Sequence, residues 1–330
     1  MIALPPLLRQ GAQDVVDALP ASARRAVRRA AGRPGPRQVP LDRLDAELAV
    51  AADLFTTSED RARAFLDGLT LVPPDGHPED PFSPAYRDWT WALYRDISGR
   101  TGYSLANEAS PIDVPAALER PFPFATGSPS VVAGDLEARG SVLRSLGAAG
   151  VVPPARLVEY GPGWGNLTMD LLSTGYDVTA VELDPRFCEL LTARRVPGGR
   201  LEVVAADMLS FRPDEPFDVA VFFESFHHCD DHLALLERLH AVVRPDGCVL
   251  FAGEPLQDMP YPWGPRLDGL SLWSMRTYGW LELGFTPAYF RLALARAGWQ
   301  ARRRRPGRGA APDVVVARAG SARTGGAVRR

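Results

Sequence analysis

The sequence predicts an α/β fold, a sheet of mostly parallel strands with helices packed on its faces, and three observations predict it. The run LVEYGPGWGNLTMDLLSTGYDVTAVELD, residues 157–184, reads as strand, glycine-rich turn, helix, second strand and terminal acid. Apolar segments of strand length recur after it in LEVVAADMLSF, FDVAVFFESFHH and RPDGCVLFAGE. The helical pattern DHLALLERLHAVV lies among them, and strands alternating with helices are the pattern of a parallel sheet.

The glycine turn carries the first chemistry. Leu157 to Tyr160 has the length of a buried strand, and Gly161, Gly163 and Gly165 let the backbone turn sharply and approach a ligand where a Cβ would clash. Glu182 closes the second strand 19 residues after Gly163, where a carboxylate accepts both hydroxyl hydrogens of a ribose. A dinucleotide fingerprint wants its third glycine one position after Gly165, to seat a pyrophosphate on the helix N-terminus, but that position is Asn166. The turn therefore reads as half of a nucleoside site.

In this order and spacing the segments resemble a class I S-adenosylmethionine-dependent methyltransferase, over roughly residues 130–318 with specific motifs between 157 and 254. The resemblance implies a Rossmann-like, seven-stranded methyltransferase sheet flanked by helices. It also implies S-adenosylmethionine as cofactor, held by Glu159, Gly161, Gly163, Gly165, Asn166, Glu182, Leu183, Asp207 and Met208. Asp207 would take the adenine amino group, with Met208 beside the ring.

The chain has 330 residues, and such a core uses only its C-terminal part. Residues 1–37 read as a short helix around GAQDVVDALPAS and a basic linker, with arginines in i, i+4 relation before Gly and Pro. Residues 38–125 read as a helical cap. Leu41, Leu44, Leu48 and Ala52 stand at helical spacing, SEDRARAFLDGL opens on Ser58 and closes on Gly68, and YRDWTWALYRDISGRTGY carries Trp89, Trp91 and Tyr94. The methyltransferase domain is expected over 126–318, its first helix running from about Val131 to Leu146. The turn Thr126 to Ser128 either approaches the methionine end of the cofactor or simply caps that helix. Residues 256–285 read as a lid insertion, too long for a simple connector. PAYFRLALARAGW supplies a further helix, ARRRR and DVVVARA the last strand pair, and residues 319–330 a disordered tail.

With 37 basic and 40 acidic side chains, the net charge of −3 offers phosphate backbones no global attraction, and nucleic acid is not expected as a partner. No apolar run approaches a membrane span, and MIALPPLLRQ is too short and proline-broken for a secretory signal, so a cytoplasmic location is expected. Cys188, Cys229 and Cys248 form no close pair and read as reduced thiols. Oligomeric state is left open, with a homodimer as one candidate.

An acceptor hydroxyl must lose a proton during methyl transfer, which calls for a base near neutral pKa. His227 and His228 fall just after the fourth strand, on the rim where open α/β sheets bind substrates. Glu224 on the same strand end is an alternative base, and Glu254 a weaker one. HHCDDH also has metal-ligand spacing, but Asp230 or Asp231 would naturally cap the helix that follows, and no metal is expected. Trp263, Arg266 and Trp273 are the candidate substrate residues, aromatic faces and a planar cation suited to a sugar. Their segment is similar to the C-terminal part of methyltransferases that accompany glycosyltransferases in bacterial polysaccharide or glycosylated-metabolite assembly. The leading expectation is therefore an O-methyltransferase acting on a hydroxyl of a sugar or glycosylated small molecule. N- or C-methylation of another small metabolite is the alternative, and an inactive scaffold the non-enzymatic one. The intact glycines and acids argue against a scaffold.

Overall fold

The structure is a computed structural model and describes residues 35–109, 112–194, 196–304 and 313–320. The expected N-terminal helix and most of its basic linker lie outside the described residues, as does the tail from residue 321. In chain order the elements are β1 (Arg37–Val39), α1 (Leu44–Phe55), α2 (Glu59–Asp67), β2 (Leu69–Leu71), α3 (Pro84–Ser98), α4 (Val114–Glu119) and α5 (Pro129–Ala148). There follow β3 (Arg156–Tyr160), α6 (Asn166–Thr174), β4 (Asp177–Glu182), α7 (Pro185–Ala193), β5 (Leu201–Ala205), β6 (Phe217–Phe223), α8 (His232–Val242) and β7 (Val243–Ala252). The chain continues with β8 (Trp263–Pro265), α9 (Gly269–Thr277), β9 (Leu283–Phe285), α10 (Pro287–Arg296), β10 (Trp299–Arg304) and β11 (Val314–Ala319).

Seven strands form the central sheet in the order β10-β11-β7-β6-β3-β4-β5. β3 to β7 run parallel, while β11 is antiparallel to both of its neighbours. This is the α/β methyltransferase fold that the sequence led us to expect. Chain order reverses beside β3, and the crevice beyond the C-terminal ends of β3, β4 and β6 is where such sheets take ligands.

Both faces of the sheet are buried, so its strands read as continuous apolar runs. Val219 and Val221 of β6 pack on one face with Leu157, Val178 and Leu250. Ala220 and Phe222 pack on the other with Val158, Tyr160 and Phe251. Tyr160, Phe222 and Phe251 are register partners on three adjacent strands. Their rings stack at 4.8 and 5.3 Å with nearly parallel planes.

The second face extends without a break into the N-terminal helices. Leu44, Leu66, Tyr86 and Tyr94 belong to the same buried cluster as Phe222 and Phe251. Ser58 and Ser83 cap α2 and α3 as helix signals predict. Segment 256–285 joins the two parts. Leu71 N donates to Leu267 O at 2.8 Å, Tyr86 Oη to Trp263 O at 2.8 Å, and Tyr94 Oη to Gly279 O at 2.6 Å. α9 packs on α2 and α3. The expected lid is thus, for most of its length, a clasp, because its aromatic rings bury more apolar area against the cap than a lid would.

Candidate active site

The turn after β3 places its three glycines in left-handed conformations, with φ of 63°, 50° and 72° at Gly161, Gly163 and Gly165. Their roles differ. A Cβ at Gly161 would lie 2.9 Å from Ser225 Cβ, and one at Gly165 would lie 2.4 Å from Leu191 Cδ2. At Gly163 a Cβ meets nothing within 4 Å, because that position faces a cavity. Gly165 therefore packs helix to helix, and Gly163 presents open backbone to a ligand.

Glu182, at the end of β4, is buried and accepts from Gly163 N at 3.0 Å and Asp184 N at 2.9 Å. Burial pushes its carboxyl above the ordinary range, and these donors pull the other way. Asp207 follows β5 and accepts from Leu209 N and Ser210 N at 2.8 and 2.9 Å through one oxygen. Carboxylate oxygens have lone pairs beyond those bonds, so both acids can still receive hydroxyl or amino hydrogens. Leu183 and Met208 stand beside them on the cavity wall.

Two expected cofactor residues are bonded within the protein. Glu159 lies beneath the turn, accepting from Thr168 Oγ1 at 2.6 Å. Burial first, and Glu182 nearby, push its carboxyl up to about 7 against the Thr168 bond. Asn166 Nδ2 donates to Phe122 O at 2.7 Å, and its Oδ1 accepts from Arg194 at 3.1 Å. Neither Glu159, Gly165 nor Asn166 lines the cavity.

The cavity has a volume of about 790 Å³, within the usual range for ligand sites. Gly161, Gly163, Glu182, Asp207 and Met208 form one end, and Tyr103, Leu105, Glu108, His228, Tyr278 and Trp280 belong to the rest of its wall. Glu224, at the end of β6, projects into it. With φ of 53°, Glu224 has the single positive φ outside glycine among the described residues. Among the described residues no hydrogen-bond donor meets its carboxylate there. The residue is exposed where it opens onto the cavity; desolvation by the protein packed around it, together with Glu254 and Asp135, pushes its carboxyl up to about 7.

The histidines differ from expectation. His227 is buried outside the cavity, its Nδ1 2.9 Å from Glu254 Oε2. The same Glu254 carboxylate accepts from Ser225 N, Phe226 N and His227 N at 3.1, 2.9 and 3.1 Å, so the ring is held as part of the loop and cannot reach an acceptor. His228 does line the cavity, and its Nδ1 lies 3.1 Å from Glu108 Oε2, off the direction of a well-formed hydrogen bond. Desolvation would lower its pKa, but Glu108, with Glu282 and Glu254 beyond it, raises it to about 9. Glu108 thus favours the protonated ring, which works against a role as base. His232 turns away to Tyr289 Oη at 2.7 Å, and Asp231 caps α8 through Ala234 N at 3.1 Å. The metal-like spacing is thereby pulled apart.

The expected acceptor residues also stand elsewhere. Trp263 is buried against Tyr86 and His232, with Nε1 donating to Pro81 O at 2.8 Å. Trp273 packs 5.1 Å from Phe55 of α1. Arg266 pairs with Asp268 at 2.9 Å and Glu282 at 3.5 Å. Their places on the wall are taken by Tyr278 and Trp280 from the same segment and by Tyr103 and Glu108 from the cap. Tyr103 and Glu108 carry no motif, and nothing in local spacing marks them.

Residues 158–251 match the family model described as a methyltransferase domain. A ribosomal RNA small subunit methyltransferase A of Bifidobacterium longum (strain DJO10A) is 41% identical over 80 residues, 23% of this chain and 26% of that protein. An uncharacterized methyltransferase of Bacillus subtilis (strain 168), YrrT, is 40% identical over 77 residues, 23% of this chain and 35% of that protein. The chain thus spans about a quarter to a third of the length of these curated relatives. Among solved structures, a Burkholderia thailandensis 1,6-didemethyltoxoflavin-N1-methyltransferase is 23% identical at a TM-score of 0.43, over 64% of this chain and 92% of that one. The glycopeptide N-methyltransferase MtfA complexed with S-adenosyl-L-methionine is 20% identical at a TM-score of 0.42, over 55% and 94%. The fold assignment rests on the strand order itself. Residues 158–251 are thus similar to a methyltransferase domain, and they lie within a seven-stranded, mostly parallel α/β sheet.

Proposed function

We propose that this protein transfers a methyl group from S-adenosylmethionine to a proton-bearing nitrogen or oxygen of a small-molecule acceptor, with Glu224 as the base. The observation that carries the reading is one cavity that holds Glu182, Asp207 and the open backbone of Gly163 together with a carboxylate that meets no donor among the described residues. The residues fit the cofactor: Glu182 suits a ribose diol, Asp207 an adenine amino group, Met208 the ring beside it. Once bound, S-adenosylmethionine supplies an electrophilic methyl on a sulfonium. Glu224 then takes the acceptor's proton, and the walls exclude water while holding the acceptor in line.

The sugar-hydroxyl acceptor expected from the sequence rested on Trp263, Arg266 and Trp273, and all three lie outside the cavity. A nucleic-acid acceptor is disfavoured because, among the described lining residues, seven are acidic and two basic. Among the described residues no helix is long and apolar enough to cross a membrane. A scaffold would have no use for a carboxylate kept unpaired at a strained φ.

Calorimetry should show S-adenosylhomocysteine binding that Glu182→Ala weakens by about 1.5–3 kcal/mol. Glu224→Gln should lower turnover by about 10²–10⁴ while leaving that affinity nearly unchanged. A base works ionised, so wild-type kcat should fall as pH drops below about 7, the range to which the Glu224 carboxyl is raised. Binding of NAD without any response to S-adenosylhomocysteine would overturn the reading, and full turnover in Glu224→Gln would remove Glu224 as the base.

A further inference from the structure

We infer that the acceptor is an amine carried on a flat apolar body, bound as its ammonium ion between the Glu224 carboxylate and the rings of Tyr103, Tyr278 and Trp280. The inference rests on the methyl-transfer reading and narrows its acceptor.

The ring wall is built from two directions. Tyr103 stacks on Trp91 with centroids 5.8 Å apart and planes 17° from parallel, and its hydroxyl lies 3.5 Å from His228 O. Trp280 stacks on Tyr278 at 4.7 Å and 29°. Leu105 adds an aliphatic surface beside them. Such walls accept a planar apolar body, and their electron-rich faces attract a cation.

The charges agree. Among the described residues the lining has only two basic ones: Arg120, exposed and donating to Phe124 O at 2.9 Å, and His228, which faces Glu108 at 3.1 Å. With seven acids against two bases on the lining, a phosphate or carboxylate on the acceptor would meet mostly like charge. Glu182 and Asp207 are taken up by the adenosine end. Asp113 caps α4 and Glu108 faces His228, so Glu119, Glu224 and Asp230 remain, and a carboxylate without a donor is stabilised most by a cation that also donates a hydrogen bond.

The proton balance points the same way. Glu224, raised to about 7, faces a gap of about three units to an alkylammonium near 10.4, against nearly nine to an alkyl hydroxyl resembling water at ~15.7. In the step, Glu224 takes one proton from the ammonium and the freed lone pair forms the new N–C bond. The C–S bond breaks as it forms, its electron pair stays on sulfur, and the positive charge passes to the methylated nitrogen.

Three probes of one shape test this: 2-phenylethylamine, 2-phenylethanol and 3-phenylpropionate, titrated by calorimetry into the protein loaded with S-adenosylhomocysteine. The amine should bind at least about ten-fold tighter than either counterpart, a difference of roughly 1.4 kcal/mol. Glu224→Gln should erase that preference without changing S-adenosylhomocysteine affinity. Equal binding of the three, preference for the alcohol or the carboxylate, or no binding of any overturns the amine assignment. Failure of the wild-type protein to bind S-adenosylhomocysteine overturns the methyl-transfer reading beneath it instead.

Discussion

At the scale of single residues, glycines of one motif divide into ligand-facing and packing positions. Gly163 and Gly165 share a left-handed φ, so an alanine at either costs about 1–2 kcal/mol in backbone strain. Beyond that shared cost the outcomes should part. Gly165→Ala drives its Cβ into Leu191 and should lower the thermal midpoint further. Gly163→Ala finds space in the folded chain, so its additional loss should appear as weaker S-adenosylhomocysteine binding. Equal effects of the two substitutions on both readouts would contradict this division. Glu224 shows the same economy in reverse: a residue without glycine's freedom is held at φ of 53°, and Gly253 opposite it is needed because a Cβ there would lie 2.5 Å from Glu224 Cγ.

At the scale of elements, the loop after β6 is ordered from the end of β7. The Glu254 carboxylate gathers three backbone N–H groups and the His227 ring, so the neighbouring parallel strand dictates the conformation of residues 225–227. Glu254→Ala leaves those buried donors without an acceptor and should destabilise the protein by at least about 1–3 kcal/mol, while lowering turnover although Glu254 lies outside the cavity. Glu254→Gln keeps an acceptor oxygen and should fall between the two. Denaturant melts beside turnover assays decide this, and a stable, fully active Glu254→Ala would show the loop to be ordered by other contacts.

At the scale of the whole molecule, the cap and the sheet share one core, with segment 256–285 as the clasp between them. Trp263 is its anchor, 4% exposed and bonded to both Tyr86 and Pro81. Trp263→Ala should cost about 3–5 kcal/mol, the loss typical of a buried aromatic ring. A loss under about 1 kcal/mol, with a raised KM for the acceptor, would return Trp263 to the acceptor site. The clasp has a functional consequence as well. By fixing Gly279 to Tyr94 and Leu281 to Glu108, it sets Tyr278 and Trp280 against the cap residues that complete the cavity.

What the sequence determined by itself was the glycine turn and the acids beside it. Strand, glycine turn, helix, strand and acid lie within one short run, and local spacing specifies their geometry: positive φ at Gly161, Gly163 and Gly165, and Glu182 at the next strand's end beside Gly163. Asp207 and Met208 follow for the same reason. The rest of the cavity was decided by the tertiary structure. Two adjacent histidines have equal claims in sequence, yet Glu254 from β7 takes one ring and Glu108 from the cap the other. The tryptophans that suggested a binding surface were drawn into the core, since apolar area gains more from burial than from lining a wet cavity. Glu224 could be ranked above them only once distant segments had closed around it. A base is made by desolvation and neighbouring charge, which belong to the folded surroundings and not to the residue type.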